Sequence, residues 1–212
     1  MKKLFIAAIA VLAFGSANAQ TNQKGTMTLD LVGGFSFGSG KDKVSEYTEK
    51  YTVVGGNYGL DFQYGLAENF SAGLGLELGS SVFSPKDLSS SAYADNYDVT
   101  MSTFKVSLEG RYYFINKEKL NVFAGPDLGY ITGKDKLSVL GTTYTVGEET
   151  KYSGMTLGLT AGMHYYFTDV FGITAQLGYD SNSVKSKETA DMVSYKRNFG
   201  GVKLGAGVSF KF

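Results

Sequence analysis

From Thr26 onward the chain alternates apolar and polar residues, the mark of a strand with two unlike faces. In the first run Met27, Leu29, Leu31, Phe35 and Phe37 share one face, and Thr28, Asp30, Gly34 and Ser36 share the other. The pattern recurs seven times. Every second residue is apolar from Tyr58 to Tyr64, Phe70 to Leu78, Phe104 to Phe114, Val122 to Tyr130, Met155 to Phe167, Phe171 to Tyr179 and Val202 to Phe212, with Gly110 and Pro126 the exceptions. No charge falls on that face, although 19% of the chain is charged. The other face is rich in glycine and carries all the strand charges.

The links between runs also alternate. Short ones are predicted at 65–69, 115–119 and 168–170, and long ones at 39–52, 80–98, 134–151 and 181–198. Short periplasmic turns and long outer loops are the habit of transmembrane barrels. Strands of about ten residues tilted near 40° cover roughly 25 Å, the height of a lipid-facing band. The predicted fold is therefore all-β: an eight-stranded antiparallel up-and-down transmembrane β-barrel. In hydrocarbon an unpaired backbone group costs several kcal/mol, so such a sheet must close on itself. Phe62, Tyr64, Phe70, Tyr112, Phe114, Tyr165, Phe167, Phe171, Phe210 and Phe212 are expected at the periplasmic interface, and Phe35, Phe37, Tyr130 and Tyr179 at the outer one. Pro126 cannot donate to a ladder, so a bulge or a missing bond is expected there.

The N-terminus adds an address. Lys2 and Lys3 precede an apolar run from Leu4 to Phe14, too short to span a bilayer as a helix, and Ala17-Asn18-Ala19 is a small-x-small cleavage site. Residues 1–19 are read as a signal peptide for the Sec pathway, cleaved after Ala19, and residues 20–212 as the barrel domain of a cell outer-membrane protein. The mature chain then carries 18 basic and 20 acidic residues, a formal charge of −2. Nothing in that balance suggests a nucleic-acid partner. With no Cys, disulfides and Cys-ligated metals are excluded, and a single His excludes a His-rich metal site.

The rival fold is a soluble exported barrel of the lipocalin type, with the apolar face turned inward. Glycine argues against it. Glycine weakens a strand, so a solvated face has no use for so much of it, whereas a crowded lumen needs the space. The last strand ends Gly207-Val208-Ser209-Phe210-Lys211-Phe212, and Gly207, Phe210 and Phe212 resemble the terminal signal read by outer-membrane assembly machinery. Residues 64–78, 113–130 and 166–179 resemble one another: aromatic, short turn, apolar residue, then alternation with Gly. This is similar to small outer-membrane barrels of the OmpX and OmpA-barrel type, most of all the Bacteroidota members of the outer membrane protein beta-barrel domain. The resemblance spans nearly all of residues 25–212. It implies fold and location, and as partners outer-membrane lipid and lipopolysaccharide, the barrel assembly machinery and periplasmic chaperones.

Candidate chemistry is sparse. The predicted lumen charges are Asp30, Asp61, Glu77, Lys105, Glu109, Arg111, Asp127, Lys203 and Lys211, five acids and four bases that are expected to satisfy one another. His164 falls on the lumen face near the periplasmic end and is expected to be a structural, hydrogen-bonded histidine rather than part of a catalytic set. No catalytic residue, metal site, cofactor or peptidoglycan-binding module is expected. The outer loops carry Tyr47, Tyr51, Tyr93, Tyr97, Tyr144 and Tyr195 and are the expected place for an extracellular ligand. Residues 136–146 alternate again and are expected to continue strands five and six as a hairpin whose edge offers itself to a partner's strand. The function expected is a non-enzymatic surface barrel serving membrane integrity or contact. The alternative is a narrow porin-like channel.

Overall fold

The computed structural model describes residues 22–44, 47–85, 97–139, 150–186 and 196–212. The expected signal peptide lies outside them. Eight strands follow one another: β1 Met27–Val44, β2 Tyr47–Ala67, β3 Phe70–Pro85, β4 Tyr97–Asn116, β5 Leu120–Val139, β6 Thr150–Tyr166, β7 Phe171–Ser186 and β8 Lys196–Lys211. Each pairs antiparallel with its neighbours, and β1 pairs with β8 to close the barrel. At the seam Met27 and Phe212 exchange backbone hydrogen bonds of 3.0 and 2.8 Å. Closure leaves no open edge among these strands, which is the condition for sitting in lipid.

The register sets the bore. Following the pairing from Asp30 through Asp61, Gly75, Ser107, Gly129, Thr156, Asn182 and Phe199 returns to β1 at Gly40, ten residues along. A stagger of this kind tilts the strands by roughly 40° and, with eight strands, leaves an interior just wide enough for side chains to fill. At Pro126 the β4–β5 ladder breaks as expected: it runs to Glu109↔Asp127 and resumes at Tyr112↔Ala124.

The apolar face points outward. Leu157 is 60% exposed and Leu108 66%, which excludes the lipocalin arrangement. Around the periplasmic rim Tyr165, Phe167, Phe171 and Phe210 form a chain of ring contacts 5.4–6.2 Å apart. Phe35, Phe37, Tyr130 and Tyr179 stand exposed on the same outward face at the other end. Leu108 lies midway between Tyr112 of the lower girdle and Phe104 near the upper. Leu108→Arg is therefore expected to lower unfolding stability in lipid vesicles by ~2–4 kcal/mol. Ser102→Arg, on the same face of the same strand but above the outer girdle, should lose about 1 kcal/mol or less. Urea titrations followed by gel migration would separate the two; equal losses would contradict the placement of the bilayer.

The expected long links need correction. β1 runs on to Val44 and β2 begins at Tyr47; β3 ends at Pro85, β5 at Val139 and β7 at Ser186. The strands are 16–21 residues long and continue well above the outer girdle. The period of two never stops, but the faces exchange character. On β2, Tyr58 and Phe62 point out while Tyr51 and Val53 are buried inside. On β3, Leu76 and Leu78 point out and Phe83 is buried; on β6, Met155 points out and Tyr152 is buried. The outside medium explains it: lipid below the girdle, water above. Of the expected loop tyrosines, Tyr51 is thus a core residue. Tyr47 and Tyr97 begin β2 and β4, and Tyr93, Tyr144 and Tyr195 lie outside the described residues. Of the expected 136–146 hairpin, 136–139 complete β5 and the remainder lies outside the described residues.

Candidate functional site

The inward face of eight strands converges on one lumen, and its contents are stacked in three tiers. At the periplasmic floor His164 is fully buried, its Nε2 3.0 Å from Asp30 Oδ2 and its ring stacked on Phe123 at 4.9 Å. A donor at Nε2 fits the carboxylate acceptor, so this nitrogen carries the proton. Ser209 donates to Asp30 Oδ1 at 2.6 Å, and Tyr166 Oη lies 3.1 Å from Ser209. Below, the segment before β1 folds across the mouth. Asn22 donates to the Ala67 carbonyl at 3.0 Å and accepts from Asn116 at 2.9 Å. Gly25 turns this segment with φ +95°, a conformation that suits a residue without Cβ.

The middle tier holds the charges. Arg111 donates to Asp30 at 2.6 Å, to Asp61 at 2.9 Å and to Glu109 at 3.2 Å. Six residues higher on β4, Lys105 meets Asp127 at 3.3 Å and Asp180 at 3.1 Å, while Lys203 meets Glu77 at 2.9 Å and Asp180 at 2.7 Å. Eight of the nine residues singled out from the sequence are brought together here. Lys211 is not: it sits at the floor with its ammonium 4.5 Å over the Tyr166 ring. Asp180 takes a place in the network that the sequence reading did not give it, because the end of β7 was read as the start of a loop. Its spacing from Gly172, Thr174, Gln176 and Gly178 was the available signal.

With Asp180 in and Lys211 out, the network has six carboxylates and three cations, not a near balance. Neutral donors make up part of the difference. Gln63 donates to Glu109 at 2.8 Å and Gln176 to Asp61 at 3.4 Å. Hydrogen bonds to a buried carboxylate are stronger than neutral ones and offset its lost hydration. Glycine makes the room: a Cβ on Gly158 would stand 2.1 Å from Asp127 and 2.6 Å from Asp180. Two cavities of about 50 Å³ remain in this tier, both lined by Asn57, Glu77 and Lys203.

The top tier is apolar. Tyr51, Val53, Phe83, Met101, Ile131, Tyr152 and Val184 form one buried cluster inside the strand extensions. Burying side chains of the Phe, Met, Ile and Val type contributes roughly 1.5–3 kcal/mol each. Arg197 lies within it. Its guanidinium stands 4.8 Å over Phe83 and 5.0 Å over Tyr152, and it grips Asp42 through two hydrogen bonds of 2.8 and 2.7 Å. Asp135 accepts from Tyr152 at 2.6 Å and from Arg197 at 3.3 Å. Burial holds the Asp135 carboxyl above the ordinary aspartate range, against the pull of those two donors. The sequence reading does not find this tier: Tyr51, Phe83 and Val184 fall in stretches expected to be loops, and Val53, Met101, Ile131 and Tyr152 lie just beyond the ends of the expected strands. Among the described residues no cluster of His, Asp or Glu is arranged to hold a metal.

A closed antiparallel barrel of eight strands, apolar outside and ionic inside, defines an integral β-barrel of the outer membrane. The chain belongs to the outer membrane protein beta-barrel domain family, which it matches over residues 18–182. Its fold is similar to that of the outer membrane protein OprG from Pseudomonas aeruginosa, at 14% identity and a TM-score of 0.61, covering 91% of this chain and 98% of that one. Ail, the attachment invasion locus protein of Yersinia pestis, is also similar, at 17% identity and a TM-score of 0.42, covering 90% and 100%. A search of curated protein sequences finds no match.

Proposed function

We propose that the protein is a non-conducting surface barrel that contributes to outer-membrane integrity and presents its outer end to external partners. The observation that supports this reading is the lumen's contents: an apolar plug above, an ionic network in the middle and an aromatic floor below. A solute would have to displace Phe83 and Arg197, then part Lys203 from Glu77 and Asp180, and then pass Arg111 and His164. Each of those steps breaks buried charge pairs or opens a packed core, both costly. Planar-bilayer recording of the purified protein is the test. No stable single-channel steps are expected; large, stable conductance from pure protein would overturn the reading.

A second reading is a narrow path for ions or small solutes. It draws on the two small cavities that share Glu77 and Lys203 in their linings, so that one ion pair stands between them. Under that reading Lys203→Ala raises conductance in the same recordings, whereas a plugged barrel stays silent.

The protein is also read as non-enzymatic. His164 is enclosed and committed to Asp30, with no surface open to a substrate. A change in lipid A acylation lost on His164→Ala would count against this. The loops at the outer end are the proposed place for an extracellular ligand, and assembly through Gly207, Phe210 and Phe212 by the barrel assembly machinery remains part of the proposal.

A further inference from the structure

Above the outer girdle the outward face carries lysines in register with one another. Lys41 pairs with Lys50 across β1 and β2. Lys43 pairs with Lys196 across β1 and β8, and Lys196 pairs with Lys185 across β8 and β7. All five are exposed, while the residues beside them, Asp42, Tyr51, Val184 and Arg197, are buried inside. They form one continuous basic patch over four adjacent strands. Like charges directly opposite each other on a sheet repel. None of these five has a carboxylate partner among the described residues, whereas the inward bases Arg111, Lys105, Lys203 and Arg197 are all paired. The barrel therefore pairs its internal cations with carboxylates, Lys211 over the Tyr166 ring excepted, and leaves an outward cluster that calls for an anion.

Two further observations say which anion. Lys41 lies four residues above Phe37 and Lys185 six above Tyr179, a rise of roughly 10–15 Å on tilted strands. A lysine stem can lay its apolar part downward and place its ammonium at the headgroup level. Eight to ten residues down β1, β7 and β8 from these lysines, the lipid-facing surface has a shallow apolar groove of about 610 Å³ that extends to β6 and Val122 of β5. Small residues make it: Gly33, Ala161, Ala175 and Ala206, between larger neighbours such as Phe35 and Leu204. Cations above a furrow shaped for hydrocarbon match an amphiphile with phosphate at its head.

We propose that Lys41, Lys43, Lys50, Lys185 and Lys196 bind the phosphate groups of an outer-leaflet glycolipid whose acyl chains lie against the groove below. The proposal rests on the barrel's place in the outer membrane and is independent of whether the lumen conducts.

The test uses the full mature barrel in phosphatidylcholine nanodiscs doped with a small fraction of bis-phosphorylated lipid A. The lipid retained per barrel is counted by mass spectrometry after detergent exchange. The wild type should enrich lipid A, and K185Q/K196Q should retain it about 25-fold less, at roughly fivefold per lysine near a charged surface. Both proteins should show the same heat-modifiable migration, so that a folding defect is not mistaken for lost binding; if the double variant does not fold, K41Q/K50Q is read instead. Equal retention by wild type and variant would overturn the proposal. So would equal retention of dephosphorylated lipid A, because the groove alone would then suffice. Displacement by inorganic phosphate at the same concentration as by lipid A would also overturn it, making the patch a small-anion site. No enrichment at all would do the same and point to an acidic polysaccharide or protein instead.

Discussion

Arg111→Leu should destabilise the barrel more than any other single change in the ionic tier, by ~3–5 kcal/mol. The guanidinium serves three carboxylates at once, Asp30, Asp61 and Glu109, all within 3.2 Å. Removing it leaves three acids facing one another in an enclosed space, and the loss comes from those stranded charges rather than from the pair itself. Two consequences separate this from a simple packing defect. Arg111→Lys should not rescue, because a single ammonium cannot reach acids on β1, β2 and β4 together as a planar fork does. Adding Asp61→Asn and Glu109→Gln to Arg111→Leu should recover more than half of the loss, since amides need no counter-charge. Urea midpoints of the folded band on unboiled gels measure all three. A triple variant no more stable than Arg111→Leu alone would refute the electrostatic account.

Phe83→Ala is expected to have an effect of similar size but different reach. Phe83 is fully buried, edge-on to Phe199 at 5.3 Å and to Tyr51 at 6.2 Å, with Arg197 over its face at 4.8 Å. Truncating a buried Phe costs ~3–5 kcal/mol through lost contacts and the cavity left behind. Here the damage should stay in the strand extensions, because they are held by their own small core above the membrane and open as a local unit. Amides of β2, β3 and β4 beside Phe83 should exchange about 10²–10³-fold faster, the factor that follows from ~3–4 kcal/mol at tenfold per 1.4 kcal/mol. Amides between the two girdles should be unchanged, and the unboiled band should persist. Faster exchange throughout the barrel would mean that the extension is not an independent unit.

The two tiers behind these predictions were not equally legible. The ionic tier was visible because glycine and charge occupy alternate positions of strands whose other face is unmistakably apolar. Even there, Lys211 is expected in the network but lies at the end of β8, where a period of two says which face a residue is on but not at what height, and Asp180 is left out because the apolar alternation of β7 is followed only to Tyr179. The apolar tier was hidden by the very pattern that exposed the rest. Above the outer girdle Tyr51, Phe83, Met101 and Tyr152 turn inward while Lys41, Lys50 and Lys185 turn outward. In a search for apolar-outward strands, that inversion reads as an end of regular structure.

Strand number, the antiparallel order and the face that meets lipid follow from the order of residues alone, because a strand's two faces alternate strictly and hydrocarbon tolerates no charge on one of them. The height of each side chain in the bore, the partners of Arg111 and Lys203, the plug around Phe83 and the meeting of Lys43, Lys196 and Lys185 were decided by closure. Those contacts join residues on different strands, and only the ten-residue stagger of the sheet around its axis determines which of them share a level.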